Sequence, residues 1–298
     1  MPAANEVCDP KFWESICPSL TLSPDPSDYS ESTSAPELRE LDKNWSENLI
    51  HEGYLNLPGA FPEERIHALR AAVDTMVSRN LPPVFATVYD EFWELFHHFS
   101  MLCRPILGEE PFLPPSIWVW YLNQNQEDAG FPPHRDRPDL RSASGELPKS
   151  MTVWAPLTDA TPLNGCMYIV PAYLDEGYLK GDDTITPKLH NVRALPAPAG
   201  SALLWNQRML HWGGVSSKRA TTPRISVAVE MQCRGIPSTS KPLLRTNCRP
   251  SLFMRLKIIG RSALWYGARY AYPPGAIALF KQLSELPAPD APIDWDEN

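Results

Sequence analysis

The sequence predicts a mainly β chain with flanking helices (α+β), its strands arranged as an antiparallel sandwich or jelly roll. Three observations carry this. SIWVWYLN (116–123), SMTVWAPL (150–157), CMYIVP (166–171), SALLWN (201–206) and RISVAVEMQ (224–232) are strand-length runs rich in β-branched and aromatic residues. No helical pattern separates them, whereas a parallel sheet needs a crossover between successive strands. Thirty-three prolines argue against a mainly helical chain, because proline interrupts the helical hydrogen-bond ladder.

The elements follow in order. The stretch PSLTLSPDPSDYSESTSAPE is rich in Ser, Pro and acids, a composition that buries little. Residues 1–50 are therefore expected as a partly extended N-terminal arm, able to fold over an active site as a lid, with a short helix over 37–50. GYLNLPGAF (53–61) reads as a strand ending in a turn. PEERIHALRAAVDTMVSR reads as a helix: Pro62 suits its first turn, Glu63 and Glu64 complement the positive dipole end, and Ile66, Leu69, Val73, Met76 and Val77 form an apolar stripe. DEFWELFHHFSMLCRPIL (90–107) reads as a second helix, on which the adjacent His97 and His98 point in different directions and make a poor metal pair. The strand region completes a core expected over 51–235. Residues 236–298 are expected as a helical extension packing on that core, with helices over 251–270 and 276–283. The first of these carries Arg255, Lys257, Arg261 and Arg269 among apolar residues. Such a helix can lie on a membrane surface or pack on a partner subunit, which leaves a homodimer open, but docking on its own domain is the preferred reading.

A net charge of -8 argues against a general binder of nucleic acid or anionic membrane. No apolar run approaches the length of a membrane span, and the N-terminal residues lack the pattern of an export signal. The six scattered cysteines form no zinc-ribbon spacing, so the chain reads as reduced and cytoplasmic.

His134-Arg135-Asp136, followed far along the chain by His211, is the candidate metal set. Two imidazoles and a carboxylate can hold Fe(II) on one face and leave the opposite positions for a co-substrate and O2. His-x-Asp alone is weak, but GFPPHRDRP is a Pro-rich segment in which a lone histidine has no apolar face to fill. His211 stands before Trp212 and two glycines, at the end of a strand-like run, and the alternative reading is a histidine that only caps a hairpin. Strand alternation puts Arg224 and Ser226 on one face, where guanidinium and hydroxyl can meet one carboxylate from two directions. A solvated face, or pairing of Arg224 with Glu230, is the alternative. Fe(II) with one aspartate and two neutral histidines keeps a net +1 and favours an anionic chelator such as a 2-oxo acid, whose far carboxylate Arg224 would neutralise.

These residues resemble the phytanoyl-CoA dioxygenase-like branch of the Fe(II)/2-oxoglutarate oxygenases over about residues 50–235. GYLNLPGAFPEE, HRD, TVWAPLTDATPLNGCMYIVP, AGSALLWNQRMLHWGG and TTPRISVAVEMQ carry the likeness. The resemblance implies a double-stranded β-helix with His134, Asp136 and His211 as iron ligands. It also implies Arg224, helped by Ser226, on the far carboxylate of 2-oxoglutarate, and Trp154 as an aromatic beside that co-substrate or a sheet-packing indole. The chain departs from the family where Pro171-Ala172-Tyr173-Leu174 replaces a pro-gly-ser-his segment. Asp136 stands where halogenating relatives have a small residue, which favours hydroxylation.

The expected activity is oxygenation of a small-molecule metabolite, natural-product intermediates included. Hydroxylation, desaturation, epoxidation and ring formation share one oxidant, with succinate and CO2 as co-products. A non-redox zinc enzyme and a non-catalytic ligand-binding member are the competing readings. Trp118, Trp120, Tyr121, Phe131, Trp205 and Trp212 suit aromatic walls for the substrate. Arg135, Arg137 and Arg141 are either carboxylate-recognising groups or surface charges.

Overall fold

Alternation along the strand expected at 224–232 requires one face against a core and the other against something polar. The fold supplies both. The computed structural model describes residues 1–29, 40, 42–123, 127–140, 145–180, 185–240, 243–267, 270, 272–287 and 293–294. The described strands are β1 (Ser27–Asp28), β2 (Tyr54–Leu57), β3 (Phe112–Leu113), β4 (Ile117–Leu122), β5 (Ser150–Pro156), β6 (Met167–Ile169) and β7 (Arg193–Leu195). They continue with β8 (Ala202–Asn206), β9 (His211–Gly213), β10 (Arg224–Gln232), β11 (Leu243–Arg245), β12 (Cys248–Arg249) and β13 (Ile293–Asp294).

The strands pair antiparallel into a jelly roll. A large sheet runs β13-β11-β3-β10-β5-β8-β2, with β4 also on β10, and a three-stranded sheet runs β7-β6-β9. On β10, Ile225, Val227, Val229 and Met231 join the main core. Helices Glu63–Ser78, Asp90–Leu107, Leu252–Trp265 and Pro274–Ser284 contribute to that same core, so they cover the outer face of the large sheet. Its inner face turns toward the small sheet, where Trp154, Leu203 and Trp205 meet Met167 and Ile169.

Local sequence explains most boundaries. The strand expected at 53–61 is β2, and the chain turns at Gly59 with φ 68°, a backbone conformation glycine adopts without a Cβ clash. Ile66, Leu69, Val73 and Met76 are buried as the stripe requires, with Ala72 beside them, while Val77 is half-buried. The short helix expected over 37–50 is observed at Trp45–Glu52, and residues 30–39 and 41 lie outside the described residues. Among the described residues, no helix is long and apolar enough to cross a membrane. All six cysteines are free thiols.

The beginning of the chain corrects an expectation. Residues Ala4–Val7 and Pro10–Ile16 are short helices, not an extended arm. Val7 and Trp13 are fully buried in the main core. The Trp13 indole donates to the Val7 carbonyl (2.7 Å), and the Tyr89 hydroxyl donates to the Trp13 carbonyl (2.8 Å). A single large indole thus outweighs a polar neighbourhood, since burying an aromatic removes more apolar area than the surrounding residues can offset. A buried charge cluster ties the same region to the tail: Asp90 accepts from Arg255 (2.7 Å), Arg249 (2.9 Å) and the Ser23 hydroxyl (2.6 Å).

His97 and His98 are buried and stand apart from the metal candidates. His97 Nδ1 lies 2.7 Å from the Thr246 carbonyl, and the Arg65 guanidinium lies 3.3 Å from His98 Nδ1. Burial, Arg65 and His97 pull His98 down to about 4 from 6.5. As pH falls, the unfolded chain takes the proton first, so the contribution of neutral His98 is complete above pH 6.5 and is lost toward pH 4. His98→Gln should flatten the acid limb of urea stability in that window by about 3 kcal/mol. His97, lowered as well, keeps a residual slope. An unchanged limb would place the acid sensitivity elsewhere.

Candidate functional site

His134, Asp136 and His211 converge, although the third lies far along the chain from the other two. The cause is a short antiparallel bridge in which the His134 and His211 backbones exchange two N–H···O bonds, each 3.1 Å. Ligand atoms of the three side chains all lie within 4.8 Å of one another. Asp136 Oδ1 is 3.3 Å from His134 Nε2 and 3.6 Å from His211 Nε2.

The surrounding hydrogen bonds fix which atoms face that point. His134 Nδ1 is 2.7 Å from the Pro132 carbonyl and His211 Nδ1 is 3.0 Å from the Met209 carbonyl. A carbonyl can only accept, so each Nδ1 carries the proton and each Nε2 presents a lone pair. Asp136 Oδ2 accepts from the Thr152 hydroxyl (2.7 Å) and the Trp205 indole (3.1 Å). Oδ1 is left toward the imidazoles. Burial alone would raise the Asp136 carboxyl, but His211, His134 and Thr152 outweigh it and hold it well below the usual carboxylate range. Burial also pulls His211 down to about 4. An anionic oxygen beside two neutral nitrogens is the donor set a divalent metal requires.

The segment between the ligands is anchored from behind. Arg135 donates to Asp175 through two nitrogens (2.7 and 3.0 Å) and to the Arg208 carbonyl (2.7 Å). Arg137 likewise donates to Asp139 (2.9 and 2.7 Å) and to the Pro237 carbonyl (3.0 Å). Both guanidinium groups are buried, so neither is a surface charge, and both are engaged with their own carboxylates. Arg141 lies outside the described residues. Asp175→Ala should cost about 3–5 kcal/mol, because it strands a buried charge. A Tm lowered by only a degree or two would show that Arg135 finds another partner.

Arg224 and Ser226 lie on the inner face of β10, and the Arg224 guanidinium donates to the Ser226 hydroxyl (2.9 Å). Arg224 is 1% exposed, and its Nε has no hydrogen-bond partner among the described residues. Its guanidinium carbon sits 5.6 Å from the Trp154 ring and 5.9 Å from the Trp120 ring. Burial pulls it down to about 10, which still leaves it cationic at neutral pH. It forms no ion pair with Glu230, whose carboxylate accepts from Ser116 and Thr239 instead. A buried cation with an unused donor calls for an anion. Gly213 keeps space beside it: a Cβ there would meet Gly130 Cα at 2.8 Å and Arg224 Nη2 at 3.5 Å.

One cavity of about 460 Å3 contains His134, Asp136, His211, Arg224 and Trp154 in its walls. Trp118, Trp120, Phe131 and Trp205 line it as the aromatic pattern suggests, whereas Tyr121 and Trp212 do not. Trp212 stacks on Tyr168 (5.8 Å). The sequence reading missed Thr152 and Gln207, which donates to the Thr152 hydroxyl at 3.2 Å. It also missed Glu230, and Trp265 and Tyr266 from the tail. None of the described lining residues comes from 1–50.

Comparison with known proteins bears on the family and the fold. Residues 84–221 match the family model described as phytanoyl-CoA dioxygenase (PhyH). No curated protein sequence matches the chain. Among solved structures, the chain is similar to the non-heme monooxygenase ThoJ in its apo form, at 15% identity and TM-score 0.57 over 80% of this chain and 98% of that one. It is similar to the non-heme alpha ketoglutarate dependent carbocyclase SnoK from nogalamycin biosynthesis, at 17% and 0.51 over 71% and 89%. A third is HygX from Streptomyces hygroscopicus with nickel and 2-oxoglutarate bound, at 13% and 0.50 over 65% and 88%. At such identities the likeness to solved structures is one of fold. The family match stops short of Arg224, so that residue's place in the site rests on the geometry alone.

Proposed function

We propose that this chain, phytanoyl-CoA dioxygenase-like over residues 84–221 and thus an enzyme of the non-heme iron and 2-oxoglutarate kind, oxidises a C–H bond of a small organic molecule. In this reading His134, Asp136 and His211 hold Fe(II), and Arg224 with Ser226 binds the far carboxylate of 2-oxoglutarate. Trp154 flanks that carboxylate. The observation that carries the reading is Arg224, buried in the same cavity as the three ligands with a donor unused. A zinc hydrolase leaves that cation without a purpose.

When bound, iron and 2-oxoglutarate supply the oxidant from O2, with succinate and CO2 as co-products. The chain supplies position and charge. Two neutral imidazoles and one carboxylate leave a net +1 with Fe(II), which matches an incoming dianion. Thr152 and Trp205 hold one Asp136 oxygen so that the other stays aimed at the metal. Trp120 and Trp154 exclude water around the Arg224 guanidinium, which strengthens its attraction for a carboxylate. The cavity volume suits a small substrate. Hydroxylation is the preferred outcome.

The test is succinate formation by anaerobically purified protein supplied with Fe(II), 2-oxoglutarate and O2. Succinate that requires all three is expected. Folded, iron-containing protein that makes none would end the oxygenase reading.

A further inference from the structure

Glu230 shares the inner face of β10 with Arg224, but about 20 Å further along at the rise of a β-strand. It pairs in register with Thr152, whereas Arg224 pairs with Leu122. Its carboxyl lines the cavity. Ser116 donates to one oxygen (3.1 Å) and Thr239 to the other (3.3 Å). These are neutral donors. Among the described residues no lysine, arginine or histidine forms an ion pair with it, although Arg261 lines the same cavity. Burial, and then the Asp136 charge, raise its pKa. A sheltered carboxylate with no cation beside it among the described residues is costly to keep.

The walls around this end are aromatic. Trp118 and Tyr266 lie 4.4 Å apart, Tyr266 and Phe131 5.8 Å, and Trp118 and Trp120 5.9 Å. Trp265, also on the cavity, is 70% exposed. Ring faces carry negative quadrupole density and attract a cation, and they stack on a flat apolar body. A carboxylate with no counter-ion among the described residues, set among such faces, is chemistry complementary to a protonated amine.

We propose that Glu230 anchors a protonated amino group of the substrate, whose ring system lies against Trp118 and Tyr266. The substrate class is thus aromatic or ring-bearing amines, with the amine bound away from Arg224. The inference rests on the oxygenase reading only in taking this cavity as the substrate site. The competing role for Glu230 comes from its hydrogen bond with Gln207, which continues through Thr152 to Asp136. That chain would make it a positioning residue for the metal ligand.

Equilibrium binding without turnover separates the two. Zn(II)-loaded protein is titrated, by calorimetry, with phenethylamine, tryptamine and tricyclic amines, each paired with the alcohol that carries hydroxyl in place of the amine. The amines should bind about tenfold or more tightly than their alcohols, as a charge-assisted hydrogen bond requires. Glu230→Gln, which keeps shape and acceptor, should erase that preference while leaving alcohol binding and Zn(II) affinity unchanged. Equal binding of amine and alcohol to the wild-type protein would overturn the proposal, as would no amine binding below about 1 mM. So would a Glu230→Gln variant that loses Zn(II) affinity but keeps amine preference. Because nothing is turned over, a failed succinate assay sinks the oxygenase reading and leaves this result standing, and the reverse also holds.

Discussion

Replacing His211 by alanine will abolish iron-dependent succinate formation while leaving most of the fold in place. In the proposed reading the side chain contributes one of three donors, and two donors hold a divalent metal far more weakly than three. Its packing role is limited: the imidazole meets Trp205 at 4.7 Å and His134 at 4.3 Å between ring centres. The stability cost is therefore of the usual size for one buried side chain, about 1–3 kcal/mol. Iron content after dialysis, succinate yield and a thermal melt check it together. Turnover that survives with bound iron would show that the wrong histidine was chosen.

Arg224→Ala will act on the co-substrate rather than on the metal. Truncating one side of a buried charge pair costs about 2–5 kcal/mol, which is roughly 30-fold or more in 2-oxoglutarate affinity. Iron binding should be unchanged, because none of the three metal candidates touches Arg224 in the hydrogen-bond set around it. Arg224→Lys should recover only part of the loss, since an ammonium cannot offer the forked geometry that a carboxylate accepts from guanidinium. Calorimetry with 2-oxoglutarate on the Zn(II)-loaded protein reads the effect without catalysis. Unaltered affinity in the alanine variant would remove Arg224 from the site.

The residues legible in the sequence share one property: their chemistry is conspicuous where they stand. His134 and Asp136 sit in a proline-rich segment with no apolar face to serve, and Arg224 opens a strand whose other face is apolar. The strand positions were legible for a similar reason, because β-branched and aromatic runs need no distant information. Thr152, Gln207 and Glu230 are different. Each is an ordinary polar residue whose meaning depends on sheet register, which pairs Glu230 with Thr152 across β10 and β5. Asp175, the counter-charge of Arg135, is likewise defined only by the fold. Trp13 misled in the other direction, since local composition hides what one indole can bury.

The cavity's wall is drawn from three stretches of chain. The metal candidates and Trp154 lie within residues 84–221, Arg224 and Glu230 come from β10, and Trp265 and Tyr266 arrive from the closing helices. The candidate ligands and the aromatic rim at Trp265 and Tyr266 thus belong to different parts of the chain. In the proposed reading, exchanging Trp265 and Tyr266 would reshape one wall of the cavity while leaving the three candidate ligands in place.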